Sequence, residues 1–164
     1  AKELYGFLDH VPETKEYGVT SYVYRARQPF VPEKILAALN GDMPGAIRAK
    51  GHFWIATRPE WVAEFFLAGS LSSVQPIGTW WASVPKERWP DHVSISDYIQ
   101  SHWQEPWGDR RQELVFIGAD IDWAALKAKL DACLVSTMRA AGPNSLPLDM
   151  PDPFPGWRRV EDAA

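Results

Sequence analysis

Cysteine is almost absent from this sequence. Cys133 is the single one among 164 residues, so no internal disulfide can form and no thiol pair is available to a metal. It falls on the apolar stripe of a helical pattern and reads as a small buried hydrophobe. Long apolar runs are missing too. No stretch approaches the roughly 20 residues that span a bilayer, and no signal peptide opens the sequence. The expectation is a cytoplasmic protein without a membrane partner. Positive charge is in deficit, 17 Lys and Arg against 21 Asp and Glu, for a net charge of −4. The field of the whole molecule therefore disfavours nucleic acid, although a local basic face could still exist. Most catalytic signatures are absent. There is no Gly-x-x-x-x-Gly-Lys-Ser/Thr phosphate loop and no dinucleotide fingerprint. No Gly-x-Ser-x-Gly elbow supports a serine nucleophile. The four histidines, His10, His52, His92 and His102, lack ligand spacing. No catalytic, cofactor-binding or metal-ligating residue is assigned. A stand-alone enzyme is the weakest of the functional readings, because no nucleophile is paired with a base.

What is present is aromatic and proline-rich: nine Trp and 14 Pro. The chain is organised around residues 112–135. Gln112 to Gly118 is rich in β-branched and aromatic residues and reads as a strand buried on both faces. Trp123, Leu126, Leu130, Cys133 and Leu134 then recur at helical spacing, with Asp122 as N-cap. Asp120 and Asp122 stand where a magnesium site could form, but a turn acid and a helix cap explain them.

Other elements follow from local pattern. Val19 to Arg27 alternates as a strand, with Arg25 and Arg27 on one face. Pro32-Glu33-Lys34 opens a helix that Asn40-Gly41 stops. Ala46 to Thr57 reads as a strand with Arg48, Lys50, His52 and Trp54 on one side, and Gly51 marks a bulge or a close backbone approach. Trp61 to Ala68 fits a strand or a short helix, with the strand preferred, Gly69 to Pro76 reads as a turn or an edge, and Thr79 to Val84 as a further strand. A helix is expected over Ser94 to Trp103, capped by Ser94. Five prolines between Ala140 and Trp157 predict an extended tail. Three regions result: a leading segment or linker (1–18), an α+β domain (19–137) and a Pro-rich tail packed on it (138–164). The fold class is α+β, in two layers. A largely antiparallel sheet of four to five strands carries helices on one face, in a distorted ferredoxin-like arrangement. Leu114 and Phe116 then point to one face, Val115 and Ile117 to the other. The face without helices needs a cover, and Phe154 and Trp157 of the tail are the expected one.

One patch is both basic and aromatic. Arg25, Arg27, Arg48, Lys50, His52 and Trp54 form the candidate interaction surface. Lys50-Gly51-His52-Phe53-Trp54 resembles in part the Lys-Gly-aromatic strand of RNA-recognition domains, whose aromatics stack on bases. The alternative function is therefore RNA or single-strand binding. Pairing of these cations with Glu60, Glu64 and Glu113, or with a neighbouring domain, is the simpler account.

Three further segments resemble one family in its own order. Tyr24-Arg25-Ala26-Arg27-Gln28-Pro29-Phe30 with Pro32-Glu33 is similar to the strand-to-helix opening of the CobW C-terminal domain. Arg48-Ala49-Lys50-Gly51-His52-Phe53-Trp54-Ile55-Ala56 resembles its Arg-x-Lys-Gly-x-x-Trp segment. Trp107-Gly108-Asp109-Arg110-Arg111-Gln112-Glu113-Leu114-Val115-Phe116-Ile117-Gly118 resembles its last-strand motif. The resemblance implies the C-terminal part of a CobW-like, G3E-class GTPase of the metallochaperone type, and a sequence beginning Ala1-Lys2-Glu3 suits a piece of a longer protein. It further implies that GTP, magnesium and a transition metal belong to a separate N-terminal GTPase domain. That domain carries a phosphate loop and a Cys-x-Cys-Cys motif, neither present here. The partners it implies are that GTPase domain and a metal-receiving client protein.

Overall fold

The computed structural model describes residues 18–136, 142–146 and 149–158. The leading segment, including His10, lies outside them. Five strands form one sheet in the order β1 (Val19–Ala26), β5 (Gln112–Ala119), β2 (Ala46–Phe53), β3 (Trp61–Ala68), β4 (Leu71–Thr79). Every pairing is antiparallel. Because β1 and β2 both run opposite to β5, they run in the same direction with β5 between them. With helix α1 (Pro32–Asn40) linking them, they make a split βαβ unit of the kind found in ferredoxin-like folds. The expected α+β architecture is observed.

The organising strand is β5, hydrogen-bonded on both sides and buried from Gln112 to Phe116. Its apolar run admits no solvated face over that length. Helix α3 (Trp123–Asp131) follows, and the Asp122 carboxylate accepts from the Ala125 N–H at 3.1 Å. This is the expected cap. Helices α1 and α3 cover the face bearing Tyr24, Phe53, Phe65, Leu114 and Phe116, and together they close the main core. Pro32 and Glu33 start α1 as the sequence predicts, and Gly41 ends it.

Several expectations need correction. The strand read over residues 79–84 does not form. The carboxylate of Asp109 takes the Trp81 and Ala82 N–H groups (3.0 and 2.9 Å), so they cannot join a ladder, and residues 81–83 turn as a 3-10 helix. The fifth strand comes instead from 71–79, which begins within the stretch read as a turn or an edge and runs three residues past it. Gly69, at φ +62, opens a two-residue hairpin loop between paired Ala68 and Leu71. Pro76 is tolerated because β4 lies at the sheet edge, beside a register shift at Val62/Ala63. The first strand ends at Ala26 and the second at Phe53. Beyond Phe53 the chain is stitched to residues 29–31, by Phe30 N–H to the Trp54 carbonyl and Ala56 N–H to the Phe30 carbonyl.

Helix α2 (Val93–His102) starts one residue early. Its cap is His92, whose Nδ1 accepts from the Ser94 N–H at 3.2 Å, rather than Ser94. It also lies at the opposite face from α1 and α3: its Tyr98 hydroxyl accepts from Arg111, which precedes Glu113 on that side. Finally, the tail does not cover the second face. Phe154 is buried against Phe53, with ring centroids 6.3 Å apart, and Trp157 packs beside it, so both extend the core that α1 and α3 already close.

Candidate functional site

The pairings fix what the second face presents. One row across β1, β5, β2, β3 and β4 reads Arg25, Glu113, His52, Glu64, Gln75. The next reads Val23, Val115, Lys50, Phe66, Ser73, and a third Ser21, Ile117, Arg48, Ala68, Leu71. Four of the six candidate residues, Arg25, Arg48, Lys50 and His52, therefore share this face. Arg25 and Arg48 are exposed, and Phe66 is 36% exposed among them. Helix α2 reaches the Glu113–His52 end, where Tyr98 meets Arg111 and shares a cleft with His52.

The other two candidates lie elsewhere. Trp54 is 0% exposed, because the strand has ended and its indole turns inward to donate to the Arg27 carbonyl at 3.1 Å. Arg27 has passed the end of β1. Its guanidinium donates to the carbonyls of His102 (2.7 Å), Gly108 (3.1 Å) and Arg110 (3.3 Å). Burial lowers its pKa, yet an arginine stays charged there. The alternation reading failed at both positions because it extended each strand past its last paired residue.

Sequence reasoning missed a buried polar hub at residues 109–113. Arg110 donates to the Pro59 carbonyl, the Trp107 carbonyl and the Ser83 hydroxyl. Arg111 donates to Glu113 at 2.9 Å, to the Asp109 carbonyl and to the Tyr98 hydroxyl. The Gln112 amide bridges three backbone groups: the Trp54 N–H, the Trp54 carbonyl and the Gln28 carbonyl. Burying charge costs several kcal/mol per ion unless the hydrogen bonds are complete, and here each cation has three. Around them sit Trp54, Trp80 and Trp107. The legible signal was a run of three charges abutting a buried strand. The function of this hub is structural: it clamps four loops to one end of the sheet.

A cleft of about 160 Å³ opens where the second face meets α2, lined by His52, Val62, Trp80, Tyr98 and Arg111 among others. Burial, with Arg111 and Lys50 adding repulsion, pushes the His52 imidazole down to about 3. The ring is neutral at pH 7. The unfolded chain binds this proton near 6.5 and the folded one only near 3, so stability is full above pH 6.5 and falls as pH drops through that window. The slope is at most about 1.4 kcal/mol per pH unit. Thermal melts from pH 7 to 4 are expected to fall less steeply for His52→Leu than for the parent; parallel profiles would disprove the assignment. Among the described residues no three of His, Cys, Asp and Glu come together as a metal site, and no helix is long and apolar enough to cross a membrane.

The sequence matches the cobalamin synthesis protein cobW C-terminal domain over residues 19–134. The chain belongs to the cobW C-terminal domain family. This cobW-type domain is 38% identical over 139 residues to zinc-regulated GTPase metalloprotein activator 1 of Dictyostelium discoideum, covering 82% of the chain and 29% of that protein. It is 28% identical over 136 residues to a zinc chaperone of Mycobacterium tuberculosis, covering 82% of the chain and 34% of that protein. The fold is similar to that of the Zn(II)-bound YjiA GTPase from E. coli, with TM-score 0.51, 17% identity, and coverage of 77% of this chain and 33% of that one. The domain thus spans about a third of the length of the curated relatives it matches. Its relatives are GTPases and zinc chaperones. The expected family is the observed one.

Proposed function

We propose that this domain is the non-catalytic accessory part of a cytoplasmic, GTP-dependent metallochaperone, and that the second face of its sheet docks on the GTPase domain of the parent protein. The carrying observation is that face itself. Exposed Arg25 on β1 and Arg48 on β2 lie either side of β5 with its half-buried Ile117, half-buried Val23 lies beside Arg25 on β1, and Phe66 follows on β3, on a sheet whose opposite face is already closed by two helices. A face that mixes partly exposed apolar groups with cations suits an acidic protein surface with an apolar centre. GTP, magnesium and the transition metal belong to the GTPase domain in this reading, and a metal-receiving client protein is the second partner.

The nucleic-acid reading loses support from the geometry. Phe53 and Trp54 are turned into the two cores, so the face offers Phe66 and no stacking platform of successive aromatics. The first test is the upstream reading frame, which should encode a phosphate loop and Cys-x-Cys-Cys ahead of this domain. The second is titration of the domain with that GTPase domain. Arg25→Glu with Arg48→Glu should weaken docking at least tenfold at low salt, and the loss should shrink at high salt. Docking indifferent to both charge reversals, or salt-sensitive binding of a generic single strand at comparable affinity, would overturn the reading. The domain alone should neither bind nor hydrolyse GTP, because no sequence segment forms a phosphate-cradling loop. Turnover by the pure domain above a buffer control would contradict this.

A further inference from the structure

The cleft at the end of the docking face differs from the rest of it. His52 is only 5% exposed, and its ring borders the open space of the cleft. A neutral imidazole there offers one N–H donor and one nitrogen acceptor. The walls are Val62, Ile77, Trp80, Trp81 and Tyr98. The volume, about 160 Å³, is well below the roughly 300–1,000 Å³ of small-molecule sites. It suits one side chain and not a nucleotide.

The chemistry of that side chain follows from what is already satisfied. Arg111 donates to Glu113, to the Asp109 carbonyl and to the Tyr98 hydroxyl, and the Asp109 carboxylate accepts from Trp81 and Ala82. A charged occupant would therefore be desolvated without a free counter-charge. A purely aliphatic one would seal the His52 nitrogens from water with nothing to bond. A large aromatic with a polar handle meets both conditions, and such residues commonly anchor protein interfaces in pockets of this kind. We propose that this cleft seats one uncharged aromatic side chain, a tyrosine or tryptophan of the docking GTPase domain, whose O–H or indole N–H donates to the His52 ring.

The proposal rests on the docking reading above, and its test separates the two. The domain itself is titrated with p-cresol, toluene and p-methylbenzoate, following the Trp80 and Trp81 indole N–H and His52 ring signals by NMR. p-Cresol is expected to shift them with at least threefold higher affinity than the other two. Gly78 lines the cleft, and a Cβ added there meets nothing within 4 Å, so Gly78→Leu plugs it without disturbing the core. That variant should lose p-cresol binding and weaken docking at least tenfold with its melting midpoint unchanged. His52→Leu should abolish the preference for p-cresol over toluene. Absence of cleft shifts with p-cresol, or tighter binding of p-methylbenzoate, would overturn the proposal. If Gly78→Leu docks like the parent while the Arg25/Arg48 reversal prevents docking, the pocket assignment fails and the docking reading stands. If neither change affects docking, the docking reading fails and the pocket assignment with it.

Discussion

Gly51→Ala is expected to destabilise the domain by more than about 4 kcal/mol, a large part of the 5–15 kcal/mol typical of a folded domain. A Cβ at this position would lie 2.1 Å from the Glu113 carbonyl oxygen and 2.7 Å from the Leu114 Cα. Both are backbone atoms of β5, which is hydrogen-bonded on its other side to β1 and cannot retreat. Relief would require parting β2 from β5, the two strands that carry Ala49, Phe53, Leu114 and Phe116 of the main core. Overpacking where side chains can yield costs about 1–3 kcal/mol; here no side chain is available to yield. Gly78→Ala is the matched control, since its Cβ enters open space and the cost should stay within about 0.5 kcal/mol. Urea denaturation followed by near-UV circular dichroism checks both. A Gly51→Ala unfolding free energy within about 1 kcal/mol of the parent would mean that the two strands are not held this close.

Gly51 also shows what the sequence could and could not tell. A glycine inside an otherwise regular strand pattern signals either a bulge or a close approach, and the backbone carbonyl of Glu113 decides for the second. The β5–α3 unit was legible except at its end, because an unbroken apolar run and a helical stripe with an acidic cap leave few alternatives; the helix stops at Asp131 rather than near Val135, and Leu134 pairs with Phe30 instead. β4 was not. Its Ser72, Ser73 and Gln75 carry no apolar alternation, and an edge strand with one solvated side needs none. The hub was illegible for a different reason. Asp109, Arg110 and Arg111 look like a solvated loop, and it is the partners converging from residues 59, 81, 82, 83, 98 and 107 that make their burial affordable. Those groups are distant in sequence, so no local pattern reports them. The second face of the sheet was half legible. Arg25, Arg48, Lys50 and His52 were placed by strand parity, which holds while a strand lasts. Arg27 and Trp54 were misplaced because nothing in their own residue types announces where pairing stops.

The second large effect is expected from the tail. Ending the chain at residue 141 removes Leu146 and Phe154, both buried, and half-buried Trp157. Phe154 then no longer covers Phe53, and Trp157 no longer packs edge-on against Trp61 at 6.2 Å. The loss is polar as well. Arg58 grips the tail through the Asp152 carboxylate (2.9 and 3.1 Å) and through the carbonyls of Phe154 and Pro155, with its guanidinium 4.4 Å from the Trp157 ring. Truncation would leave that guanidinium without these partners at the edge of the core. At roughly 2 kcal/mol for each large apolar side chain returned to water, the truncated domain should lose several kcal/mol. Phe154→Ala alone should cost about 3 kcal/mol through the cavity it leaves beside Phe53. Because Phe154 and Trp157 lie on the side of the sheet that α1 and α3 cover, neither change should alter docking through Arg25 and Arg48 in whatever fraction remains folded. Thermal melts and the docking titration read the two effects separately. An unchanged midpoint in the truncated domain would show that α1 and α3 close the core unaided, and weaker docking at equal folded fraction would place the tail in the interface instead.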